Sequence, residues 1–179
     1  MKRVAVIGGG AWGTALALVA ARAGAGVVLW ARDSAIITAI NERHENPVYL
    51  PGIALDPTIG ATSELEAALN HAEAALLVVP AQFMRGVLGR LQRLLPPGMP
   101  LLLCAKGIEI ESLQTISELA QELVPGSPLA VLSGPSFAGE VARGALRHAK
   151  ELDPVAFRSV APDNFIGSVG GTVADNNPL

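Results

Sequence analysis

The stretch that most limits the fold lies near the start of the chain. Val4-Ala5-Val6-Ile7 is a short apolar run that leads directly into Gly8-Gly9-Gly10-Ala11-Trp12-Gly13. Thr14 to Ala23 follows as a run of good helix formers that stops at Gly24. A glycine triplet alone is weak evidence, because flexible turns collect glycine. Placed between a strand and a helix, Gly8-x-Gly10-x-x-Gly13 gains meaning. Gly8 permits a tight turn off the strand, Gly10 lets a pyrophosphate approach the backbone, and Gly13 allows close helix–strand packing. The helix start supplies free N–H groups and the positive end of a dipole to a diphosphate. The reading is a dinucleotide-binding domain.

Strand-like runs alternate with helical ones along the rest of the chain. Gly26 to Arg32 reads as a second buried strand, and Asp33-Ser34 offers an N-cap to a helix from about Ala35 to His44. Asn46-Pro47-Val48-Tyr49-Leu50-Pro51-Gly52 breaks regularity. Thr58 to Ala61 reads as a third strand, and Ser63-x-x-Glu66 signals a capping box for a helix through Asn70. Ala74 to Val79 is a fourth strand, closed by Pro80. Gln82 to Leu95 carries an apolar stripe of Phe83, Val87, Leu88, Leu91 and Leu95, with basic residues opposite. Leu101 to Cys104 and Leu129 to Leu132 are the last strands, with a helix from Thr115 to Leu123 between them. This is the pattern of an α/β, Rossmann-like, doubly wound and mainly parallel sheet. Ligands of such sheets bind beyond the carboxyl ends of the strands.

Composition narrows the class further. With 179 residues, 50% hydrophobic and 4% aromatic, the chain suits one helix-and-sheet domain packed through small side chains. A net charge of −3 without clustering points away from nucleic-acid or membrane-surface partners. The single cysteine, Cys104, excludes an intramolecular disulfide and reads as a buried strand residue. Lys2-Arg3 before apolar residues is no signal peptide, since glycines interrupt the run after four residues. No stretch is long enough to span a bilayer, so a soluble cytoplasmic protein is expected.

Few residues carry chemistry. Arg32 ends the second strand, where an arginine's planar fork of donors grips the 2′-phosphate of NADP, which favours NADP(H) over NAD(H). Asp33 beside it is able to reach a ribose hydroxyl, and a solvated Arg32 is the plainer alternative. Lys106, in the loop after the fifth strand, is placed either to meet the phosphate or reacting oxygen of a small anionic substrate or to be a surface charge. Ser133-Gly134-Pro135-Ser136 is an anion-binding turn or a capped helix start. His44, His71 and His148 have no triad or metal-ligand spacing around them and read as surface residues; no metal site is expected.

Together, four ordered stretches resemble the N-terminal domain of bacterial NAD(P)-dependent glycerol-3-phosphate dehydrogenases. They are Val6 to Ala17, Asn46 to Gly52, Ala105-Lys106-Gly107-Ile108-Glu109 and Gly134-Pro135-Ser136-Phe137-Ala138-Gly139-Glu140. The resemblance implies reduction of dihydroxyacetone phosphate to sn-glycerol 3-phosphate, a phospholipid precursor, by hydride from NADPH or NADH. Beyond the cofactor contacts of Gly8, Gly10 and Gly13 expected from the glycine turn, it implies cofactor contacts for Ala11, Trp12, Arg32, Lys106 and Ala138, and substrate contacts for Lys106, Gly134 and Ser136. Position 11 is often serine in the family, so a side-chain hydrogen bond is lost at Ala11 while a backbone contact survives. Other reductases with the same glycine turn, such as ketopantoate reductases, are not expected to share both later motifs.

The resemblance ends near Gly144. Residues 1–144 are expected to form the cofactor domain, and 145–179 an atypical, partly irregular tail. The family's catalytic lysine lies in a second, helical domain, and Lys150, the only lysine after Lys106, has no matching context. The expectation is a truncated product, and a non-catalytic NADP(H)-binding module is the alternative to an active enzyme. An apolar face exposed by such a truncation invites self-association, and a homodimer is among the partners allowed.

Overall fold

Short apolar runs rich in Val, Ile and Leu become strands buried on both faces, because helical segments between them cover the sheet. The structure, a computed structural model, describes residues 2–132, 137–144 and the backbone of 158–159. In chain order the elements are β1 (Arg3–Ile7), α1 (Ala11–Arg22), β2 (Gly26–Trp30), α2 (Ser34–Thr38) continued by a π turn (Ala39–Arg43), β3 (Glu45–Asn46), β4 (Leu50–Ala54) and β5 (Ile59–Thr62). There follow α3 (Leu65–Leu69), β6 (Ala74–Leu77), α4 (Ala81–Leu91), β7 (Leu101–Leu103), α5 (Ile116–Leu123), β8 (Leu129–Val131), α6 (Ala138–Ala142) and β9 (Arg158–Ser159).

The main sheet has the order β5-β2-β1-β6-β7-β8-β9. The first six strands pair in parallel, and β9 pairs antiparallel with β8. The chain winds outward from β1 to β2 and β5, then returns to β6 and continues to β8. The winding therefore reverses between β1 and β6, and a crevice opens beyond their carboxyl ends.

Alternation along β1 splits the core in two. Ala5 and Ile7 join a cluster with Leu65, Leu88, Leu101 and Leu119 beneath α3, α4 and α5. Val4 and Val6 face the other side, with Leu18, Ile36, Ile40 and Val141 from α1, α2, the π turn and α6. Leu88 and Leu91 are wholly buried, and truncating either to alanine costs about 2–5 kcal/mol.

Four details depart from the sequence-based expectations. The irregular stretch around Asn46 is a hairpin, β3 against β4, forming a second, two-stranded sheet. Ser63-x-x-Glu66 forms no capping box. The Ser63 carbonyl accepts from Trp30 Nε1 at 2.7 Å and its hydroxyl donates to Glu64, so α3 starts after Glu64. A capping box does form two helices later, where Thr115 and Glu118 bond reciprocally at the start of α5. On α4 the buried stripe takes Met84 in place of Phe83, which is half exposed.

From the tail, expected to be partly irregular, Arg158–Ser159 pair with β8 as β9. The rest of 145–179 lies outside the described residues, as does the turn at 133–136.

Candidate functional site

β1 ends under the glycine turn, and each expected glycine has a distinct local reason to be there. Gly8 has φ +133° and sits against the Val78 backbone, where an added Cβ would lie 2.9 Å from the carbonyl carbon and oxygen. A side chain at Gly13 would overlap the Gly8 carbonyl oxygen, so the first turn of α1 presses directly onto the strand end. Gly10 is different: a Cβ there meets nothing within 4 Å. It faces open space beside the helix start, where a ligand has room.

The helix begins at Ala11, three residues before the expected run of helix formers, and Gly10 is its N-cap without a side-chain bond. The first backbone N–H groups of α1 therefore have neither an intrahelical acceptor nor a capping side chain. Ala11 and Trp12, both half-buried, supply two of them. With the helix dipole, these donors are suited to an anion at the crevice.

Sequence reasoning missed the residue that holds this turn. Asn46 is fully buried. Its Nδ2 donates to the Gly9 carbonyl at 3.0 Å and to Thr14 Oγ1 at 2.8 Å, while its Oδ1 accepts from the Tyr49 backbone N–H at 3.2 Å. Thr14 Oγ1 in turn donates to the Gly10 carbonyl at 2.9 Å. The β3–β4 hairpin is thus fastened to the glycine turn and the first helical turn together. An asparagine before a proline signals only a turn, and nothing local reveals a partner more than thirty residues away.

Arg32 and Lys106 lie in different cavities at the carboxyl ends of the strands. Arg32 is exposed, with its guanidinium carbon 5.0 Å from the centroid of the Phe83 ring. It lines a cavity of about 290 Å³ with Trp30, Val79 and Phe83 on the β2–β6 side of the crevice. Asp33 is turned away from that task, since it caps α2 by accepting from the Ala35 N–H at 2.8 Å. Lys106 lines a cavity of about 280 Å³ at the end of β7, together with Gly107, Thr115, Ser117 and Leu132. In the sheet order β2-β1-β6-β7, the glycine turn on β1 lies between the strands that lead to Arg32 and to Lys106.

The Lys106 loop is held from α4. Arg85 makes a forked pair with Glu109, Nε to Oε1 at 2.9 Å and Nη2 to Oε2 at 2.7 Å, and Ser112 Oγ donates to the same carboxylate at 2.5 Å. Hydrogen bonds from Arg85 first, then from Ser112, hold the Glu109 carboxyl below the ordinary glutamate range. Gln82 adds a reciprocal pair, donating to the Ile108 carbonyl at 2.9 Å and accepting from the Ile110 N–H at 3.0 Å. Along this loop the side chains of Ile108, Ile110 and Leu113 are exposed, as are those of Val48, Tyr49 and Phe137 in other loops.

Of the fourth motif, Ala138 opens α6 and is half-buried. Arg22 reaches from the end of α1 to the Val141 and Ala142 carbonyls, which fixes α6 beside the site. Gly134 and Ser136 lie outside the described residues.

Cys104 is buried, and desolvation pushes its thiol up to about 12. His71 is exposed as expected, but His44 is half-buried, with an Nδ1 that has no hydrogen-bond partner. Among the described residues no group of three or more His, Cys, Asp or Glu is placed to hold a metal, and no helix is long and apolar enough to cross a membrane.

Known proteins share this sequence and arrangement. The family model described as NAD-dependent glycerol-3-phosphate dehydrogenase N-terminus matches residues 3–149. Glycerol-3-phosphate dehydrogenase [NAD(P)+] of Rhodospirillum rubrum is 55% identical over 144 residues, which cover 80% of this chain and 41% of the relative. The enzyme of the same name from Parvibaculum lavamentivorans is 52% identical over 189 residues, covering 96% and 56%. Among solved structures, glycerol-3-phosphate dehydrogenase of Coxiella burnetii superposes with a TM-score of 0.74 at 34% identity, over 79% of this chain and 43% of that one. The chain thus spans about half the length of the curated relatives it matches.

Proposed function

The chain belongs to the NAD-dependent glycerol-3-phosphate dehydrogenase family, and on that premise we propose that it binds NADP(H) for the reduction of dihydroxyacetone phosphate to sn-glycerol 3-phosphate. The carrying observation is the glycine turn. Open space at Gly10 and uncapped amides at Ala11 and Trp12 adjoin a cavity lined by Arg32, and such a set fits a dinucleotide diphosphate and its adenosine half.

When bound, the reduced nicotinamide would supply a hydride to the substrate carbonyl carbon, and a proton from water or a general acid would complete the alcohol. The α1 amides bind and orient the diphosphate, and Gly13 lets them approach it by seating the helix on β1. Arg32 holds the 2′-phosphate, the basis for preferring NADP(H) over NAD(H). Lys106, presented by the Arg85–Glu109 clamp, offers its ammonium to the substrate phosphate or carbonyl oxygen and to the cofactor. Gly134 and Ser136 complete the substrate contacts and Ala138 the cofactor contacts in this reading. Residues 1–144 form the cofactor domain. The same reading places the protein in the cytoplasm and allows a homodimer.

The test is NADPH oxidation by the purified chain with dihydroxyacetone phosphate, with NADPH binding measured in parallel. Turnover supports the full reading, and binding without turnover reduces it to a cofactor-binding module. Absence of binding refutes it. Lys106→Ala should abolish thermal stabilisation by dihydroxyacetone phosphate; stabilisation that survives removes Lys106 from the substrate site.

A further inference from the structure

The cavity beside Arg32 has a second cation that the basic face of α4 conceals in sequence. Phe83, Gly86, Val87 and Arg90 recur at three- and four-residue spacing and share one side of α4. All four line the 290 Å³ cavity. Gly86 contributes no side chain, and a Cβ there meets nothing within 4 Å, so the middle of this face is left open. Opposite stands Trp30, held by the bond from its Nε1 to the Ser63 carbonyl. Arg90 extends over it, with its guanidinium carbon 5.6 Å from the ring centroid. Arg32 reaches the same cavity from the end of β2.

Two guanidinium groups thus border an apolar, aromatic floor. Neither Arg32 nor Arg90 takes part in an ion pair among the described residues, and both are exposed. The cavity also adjoins the phosphate turn: the Gly8 N–H donates to the Trp30 carbonyl at 3.0 Å, and Gly8 packs on the Val78 backbone next to Val79. A ligand whose diphosphate rests on α1 can place an aromatic base on this floor and a further anionic group between the two arginines. A flat apolar floor suits adenine, and paired forks suit a phosphate monoester.

We propose that Arg90 is a second specificity-determining residue, which with Arg32 grips the 2′-phosphate of NADP(H). The inference rests on the cofactor reading above and deepens it. Cofactor preference is then written on two elements, the end of β2 and the third turn of α4.

The experiment measures dissociation constants of the wild-type chain and of Arg90→Gln, Arg32→Gln and the double variant. The probes are NADPH, NADH, adenosine 2′,5′-bisphosphate and ADP. Loss of one charged hydrogen-bonding partner corresponds to about tenfold or more in affinity. Arg90→Gln is expected to weaken NADPH and adenosine 2′,5′-bisphosphate by that factor while NADH and ADP change less than about twofold. The double variant is expected to bind NADPH and NADH alike. Arg90→Lys, which keeps the charge without the fork, should fall between and guards against a folding defect in the glutamine variant. Equal losses for NADPH and NADH, or no loss for either, overturn the proposal while leaving the cofactor reading intact. A wild-type chain that binds neither dinucleotide overturns both.

Discussion

Asn46→Ala tests whether the glycine turn is held by the hairpin or merely lies beside it. The substitution removes three hydrogen bonds: two from Nδ2, to the Gly9 carbonyl and Thr14 Oγ1, and one to Oδ1 from the Tyr49 N–H. At about 1 kcal/mol each the loss is about 3 kcal/mol. The side chain is fully buried, so the abandoned partners gain little compensation from water, and the figure is nearer a floor than a ceiling. For a chain of this size it corresponds to a fall in Tm of about 6–12 °C. Thr14→Val removes one of the three bonds from the other side. The double variant should therefore cost less than the sum of the singles, by about 1 kcal/mol. Urea unfolding followed by circular dichroism reads all four stabilities, and the same samples give NADPH affinity. A cost for Asn46→Ala under about 0.5 kcal/mol, or additivity with Thr14→Val, would refute the argument that this network fastens the turn.

Other consequences are open to simpler assays. Gly13→Ala forces the first turn of α1 off the Gly8 carbonyl, so it should weaken NADPH binding by at least tenfold; Gly10→Ala, with free space around its Cβ, should disturb folding far less, as parallel melting curves will show. Glu109→Gln should lower stability at pH 7. Because Arg85 and Ser112 depress the Glu109 pKa, the wild-type advantage is present above the unfolded value of about 4.3 and is lost as pH falls through the folded value. The gap between wild-type and Glu109→Gln melting temperatures should therefore narrow as pH falls from 7 to 3; a constant gap would show that the carboxylate charge is irrelevant. Cys104, buried with a thiol raised to about 12, should resist a thiol-specific reagent at pH 8 until denaturant is added, and rapid labelling of the native chain would contradict its burial.

Strands and helices were legible because their signals are local. The apolar runs at Val4–Ile7 and Leu101–Leu103, the glycine that ends α1 and the Asp33 cap all act within a few residues of themselves. The Gly8, Gly10 and Gly13 pattern belongs with them, since its spacing follows from the geometry of one turn and one helix start. Illegible features depend on partners far apart in the chain. Ser63 leaves α3 uncapped: its hydroxyl turns to Glu64, and its carbonyl is held by the distant Trp30. Phe83 fits a helical stripe by spacing, yet it lies over the cavity that Arg32 enters.

By itself the sequence determined the alternation of strands and helices, and with it the parallel sheet, the crevice at the winding reversal and the uncapped start of α1. Those follow from backbone rules and from side chains acting on their neighbours. Tertiary structure alone decided that Asn46 locks the glycine turn, that Arg85 and Gln82 hold the Lys106 loop, and that Arg90 joins Arg32 at one cavity. A hydrogen bond or a shared cavity needs two groups within a few ångströms of each other. Only the folded sheet brings residues 32 and 90, or 14 and 46, to that distance.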